Sequence, residues 1–195
     1  MVSKVSVISQ AYTYLGQQGI SDIATGNARE GYVSAIYDNI YPTLLSSRPW
    51  SFALTTQILA QLSSPLDLDD WSYGYQLPTD PKWLKIYRTR PNVDFHIYGN
   101  ELYTNSSTMQ IDYIQQVAEN NLPDYFVTLL IYTLTSNISM LITQQVPIME
   151  VWEKKARQAF RVASGVDSQN QPNRAFSDQP LLNAHYSSNS SRNWY

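Results

Sequence analysis

The chain contains no cysteine. That excludes disulfides, thiolate chemistry and cysteine-based metal sites, and it suits a reducing cytoplasm or an assembled particle. Histidine is almost as scarce: His96 and His185 stand far apart and form no ligand spacing. Charged residues make up 15% of the 195 residues, against about 25% in ordinary soluble domains. The 13 basic and 16 acidic side chains leave a net charge of −3, which argues against a general nucleic-acid binder. The seven glycines make no Gly-rich phosphate loop and no Gly-x-Ser-x-Gly elbow. We find no internal repeat. Residues 1–15 carry polar side chains throughout and are expected to be a folded helix, not a signal peptide.

What fills the place of charge is amide, hydroxyl and aromatic surface. There are 15 Tyr and 5 Trp, and 43% of residues are hydrophobic, enough for one domain with a core. A Tyr- and amide-rich surface is easier to desolvate than a charged one, as subunit interfaces require. Residues 125–149 carry no charge at all. Thr128, Tyr132, Thr135, Ser136, Ser139 and Thr143 make a neutral polar stripe at helical spacing, so we expect a buried helix there and not a membrane span.

The pattern along the chain predicts α+β: helices from both ends packed around a small antiparallel sheet, with an extended C-terminal arm. Helices are expected over 2–16, 27–46, 123–145 and 147–164, with strands within 50–116. Val5, Ile8, Tyr12 and Leu15 form the first apolar stripe, stopped by Gly16 and Gly19. Asn27 with Glu30 suggests a capping box for the second helix, which Pro42 should kink. Residues 51–62 read as extended and 63–75 as a loop. Trp83, Lys85 and Tyr87 alternate with Leu84, Ile86 and Arg88, as in a strand. Gly99 predicts a hairpin between strands at 93–97 and 101–104, and 109–114 reads as a further strand. Gly165 is expected to end the last helix, placing the body at 1–165 and the arm at 166–195.

Candidate chemistry is sparse. Asp67, Asp69 and Asp70 beside Trp71 are the residue types of a sugar site, and a glycan-binding or glycan-degrading role is the alternative function. Turn chemistry alone also places Asp in such a loop. No catalytic, metal or cofactor site is expected. Basic residues gather at Lys82, Lys85, Arg88 and Arg90 and again at Lys154, Lys155, Arg157 and Arg161. Interleaved Trp83 and Tyr87 could stack on single-stranded bases, but the simpler reading is that Trp83 and Tyr87 face the core while the charges solvate a rim. Both patches are also candidates for meeting acidic partners.

Residues 166–195 contain fourteen Ser, Asn or Gln, a composition that cannot fold on itself. Ordering 30 residues costs on the order of 30–60 kcal/mol. Phe176, Leu181, Leu182, Tyr186, Trp194 and Tyr195 return only about 1.5–3 kcal/mol each when buried. We therefore expect an arm that docks on another surface through these six residues.

Five short motifs then fall in a familiar order: Tyr14-Leu15-Gly16, Arg48-Pro49-Trp50-Ser51-Phe52, Tyr75-Gln76-Leu77-Pro78 with Asp80, Tyr98-Gly99-Asn100-Glu101-Leu102-Tyr103, and Leu122-Pro123-Asp124-Tyr125-Phe126. In this order the chain resembles the tail tubular protein A family, the head-to-tail adaptors of short-tailed (podovirus) bacteriophages. The resemblance implies a non-enzymatic virion protein of the neck, assembled in the host cytoplasm and without a cofactor or membrane. It implies a dodecameric ring between the portal protein and a nozzle of the tail tubular protein B type; whether tail fibres attach to it stays open at this point. Double-stranded DNA would transit the lumen without specific binding. In such a ring the stripe Thr128, Tyr132, Thr135 and Ser139 would pack one subunit's helix beside the next, and the arm would lock onto the portal.

Overall fold

Among the described residues the chain builds four α-helices and two small sheets. The computed structural model describes residues 2–22, 28–63 and 70–170. In order they are α1 (Lys4–Tyr14), α2 (Ala28–Ser46), β1 (Leu54–Ile58), β2 (Tyr73–Gln76), β3 (Trp83–Arg90), β4 (Phe95–Tyr98), β5 (Glu101–Thr104), β6 (Gln110–Gln115), α3 (Asp124–Thr143) and α4 (Val146–Gln169). The fold is α+β, as the sequence pattern implies.

Local chemistry explains the helix ends. Ser3 caps α1: its hydroxyl accepts from the Ser6 backbone at 3.2 Å, and the Ser6 hydroxyl accepts from the Ser3 backbone at 2.9 Å. At the other end Gly16 takes φ +73°. Its N–H donates to the Thr13 carbonyl and that of Gln17 to the Tyr12 carbonyl, the paired bonds of a Schellman stop. Asn27, the expected cap of α2, lies outside the described residues. The helix runs on past Pro42 to Ser46. Pro123, already at φ −71°, precedes α3 and leaves Asp124 in the first turn, where its charge favours the helix dipole.

Two differences from the sequence expectation have clear causes. There are two three-stranded antiparallel sheets, ordered β1-β6-β3 and β2-β5-β4. The second exists because Tyr73–Gln76, which begins inside the expected loop 63–75, pairs with β5, Gln76 opposite Glu101 and Tyr73 opposite Thr104. The alternation along β3 is also broken. Register shifts between Trp83 and Lys85 and between Ile86 and Arg88 turn Tyr87 outward, leaving it 55% exposed, as bulges do.

The core has two parts. The larger joins α1, α2 and α3 to one face of the first sheet, with Ile8, Tyr37, Leu45, Trp50, Ile114, Phe126 and Leu134 buried. The smaller, including Leu59, Tyr75, Leu77, Leu102, Met109 and Ile111, sits at the two sheets. α3 packs against α1, α2 and α4. By length and composition it is the one described helix apolar enough to cross a membrane, yet Phe126, Leu129, Leu130, Leu134 and Ile138 are buried within this chain.

Four of the five motifs meet in pairs. Trp50 lies 5.2 Å from Phe126, and Phe52 lies 5.0 Å from Phe126 and 6.2 Å from Tyr125, edge to face. Such pairs add about 0.5–1.5 kcal/mol beyond burial. Tyr75-Gln76-Leu77 closes on Asn100: Leu77 N–H and the Gln76 side chain donate to its carbonyl at 3.0 and 3.1 Å. The Asn100 side chain in turn accepts from the Trp83 indole at 2.8 Å.

Candidate functional site

Asp167 organises the region from which the C-terminal segment departs. It is fully buried near the end of α4. Its Oδ1 accepts from the Ser51 backbone at 2.9 Å, the Ser51 hydroxyl at 2.7 Å and the Tyr125 hydroxyl at 2.9 Å. The Arg48 guanidinium stands 3.6 Å from Oδ2, lies 4.9 Å over the Trp50 ring and donates to Ser168 Oγ at 3.1 Å. A carboxylate out of water is costly unless it is paired and hydrogen-bonded; here Oδ1 takes all three hydrogen bonds, and Oδ2, which has none, faces Arg48. Burial first, and the bond to Asp167 second, push the Tyr125 phenol above its ordinary value. The last turn of α4 is thereby tied to the Arg48–Phe52 motif and to the start of α3.

This clamp corrects the expected boundary at Gly165. A glycine inside a helix costs about 1 kcal/mol relative to alanine, but one more turn brings Asp167 to three donors, and α4 continues to Gln169. Residues 166–169 therefore belong to the body.

Alongside the clamp, α3 and α4 leave a groove of about 410 Å³ between them. Tyr125, Thr128 and Tyr132 line one side and Lys155, Gln158, Ala159 and Val162 the other. At one end Tyr14 stacks on Trp152 at 5.2 Å, and Tyr132 meets Trp152 edge-on at 5.6 Å. Lys155 Nζ sits 4.1 Å over Trp152, a cation–π contact. Val151, Lys155, Val162 and Val166 recur at helical spacing along α4, and the three valines are 51%, 56% and 38% exposed. An apolar stripe left open along a 24-residue helix is the kind of surface that partners cover. Sequence reading missed it because valines spaced 11 and 4 apart among charged residues resemble an ordinary wet face.

The expected subunit-packing stripe is divided by the fold. Thr128 is exposed and Tyr132 half-buried, both lining the groove. Thr135 and Ser139 are fully buried within the chain, and their hydroxyls donate to the carbonyls of Ile131 at 2.8 Å and Ser136 at 2.7 Å. They cannot face a neighbouring subunit, because α1, α2 and α4 already surround α3. Phe176, Leu181, Leu182, Tyr186, Trp194 and Tyr195 lie outside the described residues, as does His185.

The basic patches are also sorted. Arg90 is committed to Asp112, a nearly buried carboxylate on β6, at 2.7 Å, and Thr56 donates to the same group at 2.6 Å. The pair still leaves the Arg90 side chain exposed. Lys82, Lys85 and Arg88 are exposed. On α4, Arg157 pairs with Glu153 as the spacing predicts, while Lys154, Arg157 and Arg161 share an exposed stripe.

A second cleft, about 610 Å³, is lined by Asp70, Trp71, Val93, Asp94, Thr104, Asn105 and Ser106. It adds Asp94 to the expected pair Asp70 and Trp71, while Asp67 and Asp69 lie outside the described residues. Asn105 holds its wall, accepting from the Ser72 N–H at 2.9 Å and donating to the Asp70 carbonyl at 3.2 Å. His96, on exposed β4, tilts against Tyr98 at 4.4 Å. Among the described residues no group of three or more His, Asp or Glu side chains is placed to hold a metal ion. No protein-family model matches the chain, and no curated protein matches it significantly.

Proposed function

We propose that the chain is a structural head-to-tail adaptor of a short-tailed phage, forming a ring that joins the portal to the tail nozzle and passes double-stranded DNA. The observation that carries this reading is the open stripe of Val151, Val162 and Val166 on a helix whose end is locked by Asp167. A rigid helix of about 36 Å with an apolar edge suits lateral contact between copies. The scarcity of charge supports it: a ring of subunits with net charge −3 does not hold phosphates in its lumen. The pairing of the motif residues supports a shared architecture with the adaptors they resemble. The test is the mass of the purified protein, alone and mixed with portal protein, by native mass spectrometry. The expected result is a dodecamer-sized complex with portal; a monomer indifferent to portal overturns the reading.

A glycan-binding role is the second reading, favoured by one observation: Trp71 and two carboxylates, Asp70 and Asp94, line one cleft. An oligosaccharide array against the Trp71→Ala variant tests it, and binding that survives the substitution removes Trp71 from the reading.

A further inference from the structure

Four of the 13 basic residues, Lys82, Lys85, Arg88 and Arg90, fall in one short run, and no acid stands between Asp80 and Asp94. The fold gathers them further. Register sets their direction: Lys85 pairs with Ile114, Arg88 with Asp112 and Arg90 with Gln110. Those partners alternate along β6, so the three cations share one face of the first sheet. In a regular strand Lys85 and Arg88, three positions apart, would point to opposite faces. The register shift between Ile86 and Arg88 brings them to the same one. Ile114 buries its end of this face in the larger core. Further out the face is exposed at Thr56, Ile58, Arg88 and Arg90.

Asp112 is the one carboxylate among the paired residues of this face. It is nearly buried and already holds Arg90 at 2.7 Å and Thr56 at 2.6 Å. Among the described residues Lys82, Lys85 and Arg88 make no ion pair. Between Lys85 and Arg88 the shift inserts Tyr87, 55% exposed. An exposed tyrosine alone is ordinary. Flanked by unpaired cations it joins a stacking platform to phosphate contacts, the combination that holds single-stranded nucleic acid. The net charge of −3 does not oppose this locally, because charges beyond about 8 Å are largely screened at physiological salt. An acidic peptide would meet the cations without needing Tyr87, and a duplex keeps its bases stacked away from it.

We infer that the β3 edge of the first sheet binds single-stranded nucleic acid, with phosphates on Lys82, Lys85 and Arg88 and a base stacked on Tyr87. Arg90 stays on Asp112 and supports the face without being spent on the ligand. Recognition by stacking and charge accepts any base, so binding is sequence-tolerant and salt-sensitive. The surface lies on other elements than the valine stripe of α4. The inference therefore stands whether or not the ring reading holds.

The test is fluorescence anisotropy of a labelled oligothymidylate of about 12 nucleotides, titrated with the full-length chain over a range of salt. Lys85→Gln with Arg88→Gln is compared with Lys154→Gln plus Arg161→Gln, which removes the same charge from exposed positions on α4. Matching thermal unfolding curves establish that each variant is folded. The first pair should lower the slope of log affinity against log salt by about 1.4, two phosphate contacts on a single strand, and the α4 pair should leave it unchanged. Tyr87→Ser should weaken binding about fivefold or more. No binding at low salt overturns the inference, as does an equal loss in the two double variants. Full affinity in Tyr87→Ser, or equal affinity for a duplex of the same length, overturns base stacking. Displacement by polyglutamate as effective as by unlabelled oligothymidylate overturns the assignment to nucleic acid in favour of an acidic polypeptide.

Discussion

Asp167 grips Ser51 twice, accepting from its backbone N–H at 2.9 Å and from its hydroxyl at 2.7 Å. The two residues are 116 positions apart, so one buried carboxylate joins the end of α4 to the turn after α2. Tyr125 and Arg48 complete the same clamp from two further directions. The chain beyond Asn170 therefore departs from a fixed point.

The clamp separates two truncations that differ by only five residues. A chain ending at Asn170 should keep its stability, since it retains Asp167. A chain ending at Gly165 should lose about 3–5 kcal/mol, the cost of stranding the partners of a buried ion pair. Asp167→Ala should match the shorter truncation, and Asp167→Asn, which keeps an acceptor, should lose less. Urea unfolding of the four chains checks this; a stable chain ending at Gly165 would show that the clamp contributes nothing.

Trp50 and Phe126 are wholly buried and sit edge to face in the larger core. Trp50→Ala should cost about 3–5 kcal/mol, transfer and cavity together. The indole also donates to the Leu44 carbonyl at 2.9 Å, so Trp50→Phe should still lose about 1 kcal/mol for that bond. Thermal unfolding distinguishes the two.

Val151 is half exposed on α4 and lies outside the groove lining. Val151→Asp should change subunit stability by less than about 0.5 kcal/mol, as exposed substitutions usually do. In the proposed ring it should abolish assembly, because an unpaired charge would be buried between copies. Sedimentation with portal protein reads this out. A variant that still assembles would move the ring contact away from this stripe.

Tyr37 and Tyr41 stack at 5.7 Å in the core. Burial, then the charge of Glu119, pushes both phenols well above the usual value of 10.0. The folded chain therefore holds these protons after the unfolded chain has released them. Stability should be unaffected below about pH 9 and should fall as pH rises past 10, because the unfolded state then binds fewer protons. Tyr37→Phe combined with Tyr41→Phe should flatten that alkaline fall. Urea midpoints at pH 9 and pH 11 check the sign, and an unchanged slope in the double variant would assign the alkaline fall to other groups.

Local signals in the sequence determined much of the frame. Gly16 stops α1 because a left-handed residue lets two N–H groups reach back to Thr13 and Tyr12. Gly99 turns the β4–β5 hairpin at φ +60°, Pro123 presets α3, and the uncharged run 125–149 forecast a buried helix. These are short-range effects, decided by neighbours a few positions away. Tertiary structure alone decided the rest. Tyr73–Gln76 is a strand because β5 lies beside it, and α4 passes Gly165 because Ser51 and Tyr125 wait for Asp167. Thr135 and Ser139 face inward because three helices surround α3, although their spacing on the sequence is that of an open polar stripe. The groove at Ala159 exists only where α3 and α4 pack side by side, setting residues 125–132 against residues 155–162. In each case the deciding partner lies tens of residues away, and a pattern read along the chain carries periodicity but not the identity of that partner.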